Sequence, residues 1–167
     1  HYAPDLIQTA FLSNHFQWTN EFRKTEVWLG GFRLDQEAIG LHFDASYSQV
    51  KNLIYWGNYN YPVQAYDKVG ITRVSLQKNF RWRQWHLNNS IIYQHANTSI
   101  VSLPPLLSYQ SLYYERSFIK NAVHTQIGID ITYLSDYYPD VYNPVTGNFS
   151  NQRSIAGGNN LILEFFF

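Results

Sequence analysis

Val123–Tyr133 reads VHTQIGIDITY, and its side chains alternate almost without fault. Val123, Thr125, Ile127, Ile129, Ile131 and Tyr133 form one set; His124, Gln126, Gly128, Asp130 and Thr132 form the other. A period of two puts successive side chains on opposite faces of a β-strand, here one apolar and one polar. The fold turns on which face looks inward. In a water-soluble protein the isoleucines point into a core. In a membrane barrel they point to lipid, and the polar set lines a wet interior.

Composition favours the barrel. Charged residues are 14% of the 167-residue chain, below the roughly 25% of a soluble domain. Aromatic residues are 18% and the formal net charge is zero. Mean hydropathy is nevertheless −0.34, because Asn, Gln, Ser, Thr and Tyr are abundant. Few ions with many neutral polar and aromatic side chains suit a wall between lipid and water. The balanced charge and the lack of a basic stripe argue against nucleic acid as a partner. Cysteine is absent, which excludes disulfides, thiolate metal sites and thiol nucleophiles. No run approaches the roughly 18 apolar residues of a membrane helix, but barrel strands need no such run. The chain begins HYAPDLIQ and contains no methionine. It reads as a processed or truncated product: one β-barrel domain over 1–167, a fragment of a longer chain.

The alternation recurs along the chain, and no segment has helical periodicity. TAFLSNHFQWTNEF sets Leu12, Phe16, Trp18 and Phe22 against Ser13, His15, Gln17, Thr19 and Glu21. EVWLGGFRL is a poorer strand, and Gly30–Gly31 suggests a bulge. AIGLHFDASYS sets Ile39, Leu41, Phe43, Ala45 and Tyr47 against Gly40, His42, Asp44, Ser46 and Ser48. VGITRVSLQKNFRW sets Val74, Leu76, Phe80 and Trp82 against Arg73, Ser75, Gln77, Asn79 and Arg81. Lys78 falls in its apolar set, where snorkelling near an interface accommodates it. WHLNNSIIYQ, SYQSLYYERSF (with Arg116 in the apolar set) and LILEFFF bring the count to about eight strands.

Tight turns are expected near Arg83–Gln84 and Lys120–Asn121. Long polar loops are expected at about Asn52–Lys68, Ala96–Leu106 and Ser135–Asn159. This sorting of short and long connections belongs to outer-membrane barrels. The eleven residues Val123–Tyr133, at roughly 3.3 Å each and tilted by about 45°, would cross on the order of 25 Å, the height of the apolar band. Trp18, Phe22, Tyr47, Phe80, Trp82, Trp85, Tyr93, Phe118 and Tyr133 fall towards strand ends, as interfacial girdles do. The reading is all-β: an antiparallel transmembrane β-barrel of a bacterial outer membrane, its lipid one of the chain's partners.

Four segments add a resemblance: SNHFQWTNEF, NLIYWGNYNYPVQA, LPPLLSYQSLYYERSFIKNA and HTQIGIDITYLSDYYPDVYNPVTGNF. Their order and spacing resemble the putative-porin family of Bacteroidota outer membranes over about Asn14 to Phe149. YYPDVYNPVTGNF is the most specific piece and in that family would be a long external loop. The resemblance implies an outer-membrane barrel, diffusion of small hydrophilic solutes, and a barrel longer at its N-terminus. A closed barrel of about eight strands is filled by side chains, whereas about sixteen leave an aqueous channel.

The polar sets nominate a lumen lining of His42, Asp44, Arg73, Gln77, Arg81, Glu115, His124 and Asp130. Arg73, Arg81, Glu115 and Asp130 would tune what passes. With Glu21 and Arg33 these charges are mixed in sign, so they pair or make a transverse field instead of a single-sign selectivity ring. HFDAS puts His42, Asp44 and Ser46 on one face, but at roughly 6.6 Å Cα spacing they do not reach one another as a catalytic triad. His15, His42, His86 and His124 lie on polar faces without the tight spacing of a metal site. No catalytic residue, metal ligand or cofactor is expected. Tyr55–Tyr66 and Tyr137–Tyr142 offer rings that stack on sugars or hold a protein partner. Three functions follow: a passive pore, an accessory barrel whose long loops bind a protein, or a soluble ligand-binding barrel with Ile127 and Ile129 lining an apolar cavity.

Overall fold

The computed structural model describes residues 1–118 and 123–167. The chain opens with a one-turn helix α1 (Leu6–Thr9) and the short strands β1 (Ala10–Leu12) and β2 (Gln17–Thr19). Long strands β3 (Glu26–Gln36) and β4 (Leu41–Lys51) follow, then short β5 (Ile54–Trp56) and β6 (Pro62–Gln64). Four long strands come next: β7 (Val69–Trp82), β8 (Trp85–Ala96), β9 (Leu106–Phe118) and β10 (Val123–Leu134). Short β11 (Val141–Asn143) and β12 (Asn148–Ser150) precede β13 (Asn160–Phe166).

Seven strands form one antiparallel sheet in the order β13-β10-β9-β8-β7-β4-β3. Chain neighbours are sheet neighbours, as in a meander. Among the described residues β3 and β13 do not pair with each other, so the sheet is an open wall. The 3-10 turn Glu37–Ile39 and the two-residue turn Arg83–Gln84 lie at one end. Segments 52–68, 97–105 and 135–159 lie at the other. The expected turn at Lys120–Asn121 falls outside the described residues.

A sheet in water must cover one face with a second layer. This one is a single layer. The only buried large hydrophobic residues among those described are Trp18 and Val69. Ile127 is 57% exposed, Trp82 70% and Phe165 80%, all on the same face. Apart from the row Lys78, Asn89 and Gln110, this face is an uncovered apolar surface, and one of this extent calls for a solvent other than water. It also has the layout of a membrane band. Phe80, Trp82, Trp85, Tyr114 and Phe118 cluster near the short turns, with Trp85 and Tyr114 packed edge-on at 5.3 Å. Trp28, Tyr47, Tyr93 and Tyr133 lie toward the long connections. Leu34, Phe43, Leu76, Leu112 and Ile129 lie between.

Several expectations change. The main sheet has seven strands, not about eight, because TAFLSNHFQWTNEF does not join it. Its alternation lapses at Asn14 and Asn20, and there the chain turns. The Ser13 hydroxyl accepts from the Phe16 N–H at 3.1 Å, closing a hairpin of three-residue strands. Trp18 therefore belongs to no girdle; it is buried and donates its indole N–H to the Ile7 carbonyl at 2.8 Å. Glu21 likewise lies off the sheet. α1 is a helix that periodicity could not reveal in four residues. Gly30 and Gly31 form no bulge; they pair in register with Tyr47 and Ser46. Gly30 makes room for the Trp28 indole, which a Cβ there would meet at 2.8 Å. Two of the long connections also carry hairpins of their own, β5–β6 and β11–β12.

Candidate functional site

Residues directly opposed on neighbouring antiparallel strands share a face, so the register traces the polar face across the wall. His42 opposes Asp35 and Gln77, and Asp44 opposes Arg33 and Ser75. Arg73 opposes Ser46 and Gln94, and Arg81 opposes His86. His86 opposes Tyr113, two residues before Glu115. Glu115 opposes Gln126, His124 opposes Ser117, and Asp130 opposes Ser111 and Glu164. All eight nominated residues thus lie on one face, opposite the face that carries Ile127 and Ile129.

The face divides into paired and unpaired charge. Arg33 Nε lies 3.5 Å from Asp44 Oδ2, and His42 Nδ1 lies 2.9 Å from Asp35 Oδ1. His86 Nε2 lies 3.4 Å from Glu115 Oε2, with its ring stacked on Tyr113 at 4.7 Å. His124 Nδ1 meets the Ser117 hydroxyl at 2.8 Å. The histidines therefore have separate partners, and the described residues bring no three metal-ligating side chains together. His42, Asp44 and Ser46 share a row, but His42 and Asp44 each pair with a residue of β3, Asp35 and Arg33.

Arg73 and Arg81 on β7 form no ion pair among the described residues, nor do Asp130 and Glu164 on β10 and β13. Three strand spacings separate β7 from β10, roughly 14 Å. One stretch of wall therefore carries cations outside any direct ion pair, and another carries carboxylates outside any direct ion pair. Asp130 Oδ1 is buried without a hydrogen-bond partner, and Glu164 stands directly across from it. Two open depressions mark the face. Arg33, Asp35, His42, Asp44, Arg73 and Gln77 surround one of about 230 Å³; Arg81, His86 and Glu115 border one of about 350 Å³ near the short turns.

Sequence reasoning missed three features here. Asp35 lies at the end of the glycine-interrupted strand, and its bond to His42 appears only once the hairpin closes. Glu164 sits in an aromatic tail whose register with β10 no local pattern reveals. The third is an apolar collar: near the long connections the same face becomes Val50, Val69, Ile71, Ile92, Leu107 and Leu134, all buried or half-buried. The polar sets read from alternation stop short of this collar, at Arg73 on β7 and Thr132 on β10.

Above the collar the long connections are tied together. The Asn151 backbone N–H donates to the Trp56 carbonyl at 2.8 Å. Its side-chain amide donates to the Ile100 carbonyl and the Ser102 hydroxyl, both at 3.2 Å. Trp56 and Tyr61 pack edge-on against Trp18 at 5.6 and 5.5 Å, joining the N-terminal hairpin to the same cluster.

Comparison with family models then supplies the relationship: the model described as putative porin matches residues 1–167. The chain belongs to the putative porin family. The likeness in four segments thus extends over the full chain. Neither the curated proteins nor the solved structures contain a match. Membership supports, in general terms, an outer-membrane porin-like role, and the antiparallel meander is the architecture of such a wall. A porin's work is to divide two solvents, and this porin-family sheet presents one face suited to each.

Proposed function

We propose that this chain forms part of the wall of an aqueous pore in a bacterial outer membrane, through which small hydrophilic solutes pass passively. The observation that carries the reading is the partition of charge across one layer of backbone. Arg33, Asp35, Asp44, Arg73, Arg81, Glu115, Asp130 and Glu164 share the face that would be wetted. On the other face Glu26 and Lys51 pair with each other at 3.4 Å beside the long connections, Lys78 bonds the Ile39 carbonyl of the neighbouring turn and Arg116 lies over the Phe118 ring, 5.2 Å from its centre. The long stems of Lys78 and Arg116 can lie in the band while their charge reaches toward its edge.

In this reading no residue performs chemistry. The paired charges hold water without favouring one ion. The unpaired Arg73 and Arg81 stand on the same face as the unpaired Asp130 and Glu164, some strands further along, giving a lateral field that weakly sorts dipolar and charged solutes. The test is conductance of the purified full-length protein in planar bilayers. Stepwise, weakly selective openings are expected, and Arg73→Glu should move the reversal potential toward cation preference. Silent bilayers from protein that has demonstrably inserted would sink the pore.

A further inference from the structure

We propose that the cleft between the β5–β6 hairpin and segments 99–100 and 151–153 binds a neutral oligosaccharide. Tyr55, Tyr59, Tyr61, Asn58, Asn151 and Arg153 line it, with a volume of about 420 Å³, within the roughly 300–1,000 Å³ of small-molecule sites. The hairpin has two unlike faces. Trp56 holds it against Trp18, and Tyr61 reaches both Trp18 and the cleft. Tyr55 and Val63, directly opposed in register, look into the cleft. Tyr59 stands at the hairpin tip, 84% exposed, carried by a tight turn in which the Asn60 N–H donates to the Gly57 carbonyl at 2.9 Å.

The floor is already ordered. Asn151 is buried, its side-chain amide committed to segment 97–105 and its backbone N–H to Trp56 of the hairpin, so the aromatic walls are held apart before any ligand arrives. A preformed site loses less entropy on binding. The lining also selects by chemistry. It holds one cation, Arg153, and no carboxylate, so it has no anionic side chain to pair with a cationic ligand. Phenol rings beside amide, hydroxyl and guanidinium groups match a molecule with apolar C–H faces and hydroxyl edges, which describes a sugar chain. The inference does not need an open pore, so a silent bilayer would leave it standing.

The experiment is calorimetric titration of the detergent-solubilised full-length protein with linear neutral hexasaccharides of glucose, mannose and xylose, and with neutral hexapeptides. Saturable binding of at least one hexasaccharide is expected, weakened about five- to tenfold by Tyr59→Ala, in line with loss of one ring contact. Because Tyr59 is exposed, that variant should retain the near-ultraviolet circular dichroism of the Trp18 cluster. No saturable sugar binding, binding of peptide alone, or sugar binding unchanged in both Tyr59→Ala and Tyr55→Ala would overturn the assignment.

Discussion

The two faces of the wall share every strand and every hydrogen bond, yet they are organised differently. On the apolar face Ile129 opposes Leu112 and Phe165, and any of these could be exchanged for another aliphatic side chain. On the polar face the next residue, Asp130, opposes Ser111 and Glu164, where identity matters. Apolar contact is non-directional and depends on area; charge and hydrogen bonding depend on a particular partner at a particular distance. A pore wall can therefore be loosely specified toward lipid and must be closely specified toward water.

Three consecutive residues allow the contrast to be broken in graded steps. Ile129→Arg should cost most, about 2–4 kcal/mol for a cation in mid-bilayer, seen as failed folding into lipid vesicles or loss of heat-modifiable mobility. If it assembles normally, that face does not meet lipid. Gly128→Ala comes next, at about 1–3 kcal/mol by urea unfolding in bilayers. A Cβ there would stand 2.6 Å from the Leu112 carbonyl oxygen and 2.6 Å from the Tyr113 Cβ, on the polar face. Its failure to destabilise would show that the wall relaxes more easily than its register implies.

Asp130→Asn should have the opposite sign. It removes one of two carboxylates set directly across the β10–β13 pair and should stabilise by about 0.2–1 kcal/mol. In an open channel it should also shift selectivity slightly toward anions. Destabilisation instead would mean that the Asp130 carboxylate is held by a partner, such as the Tyr109 hydroxyl, whose contribution outweighs the repulsion from Glu164. Arg33→Gln is the smallest change, about 0–1 kcal/mol, because its bond to Asp44 is exposed. Its effect should shrink at high salt, which unfolding at two ionic strengths would show.

The legibility of the fold follows these same physics. Where strands are long and two-faced, alternation was enough: Val123–Leu134 and Val69–Trp82 emerge with their faces as read. It failed where the chain meets neither solvent squarely. SNHFQWTNEF has an alternating look because the N-terminal hairpin packs Trp18 against Phe11, Trp56 and Tyr61, an aromatic cluster with its own inside. The glycines of β3 suggested a bulge because their use, room for the Trp28 ring, lies in side-chain packing. The eight nominated polar residues were placed on one face by period alone, but their division into paired and unpaired charge could not be read without the register.

The sequence by itself determined the period of two, the shortage of ions, the sorting of short and long connections, and so an antiparallel wall with unlike faces. These are local consequences of backbone geometry and of which side chains tolerate lipid. Tertiary structure alone decided that Asp35 meets His42, that Asp130 faces Glu164, that an apolar collar underlies the long connections, and that Asn151 ties three of those connections together. Each depends on residues of different strands or connections meeting at hydrogen-bond or van der Waals range. A shift of one residue in strand register would undo such a meeting while leaving the overall composition unchanged.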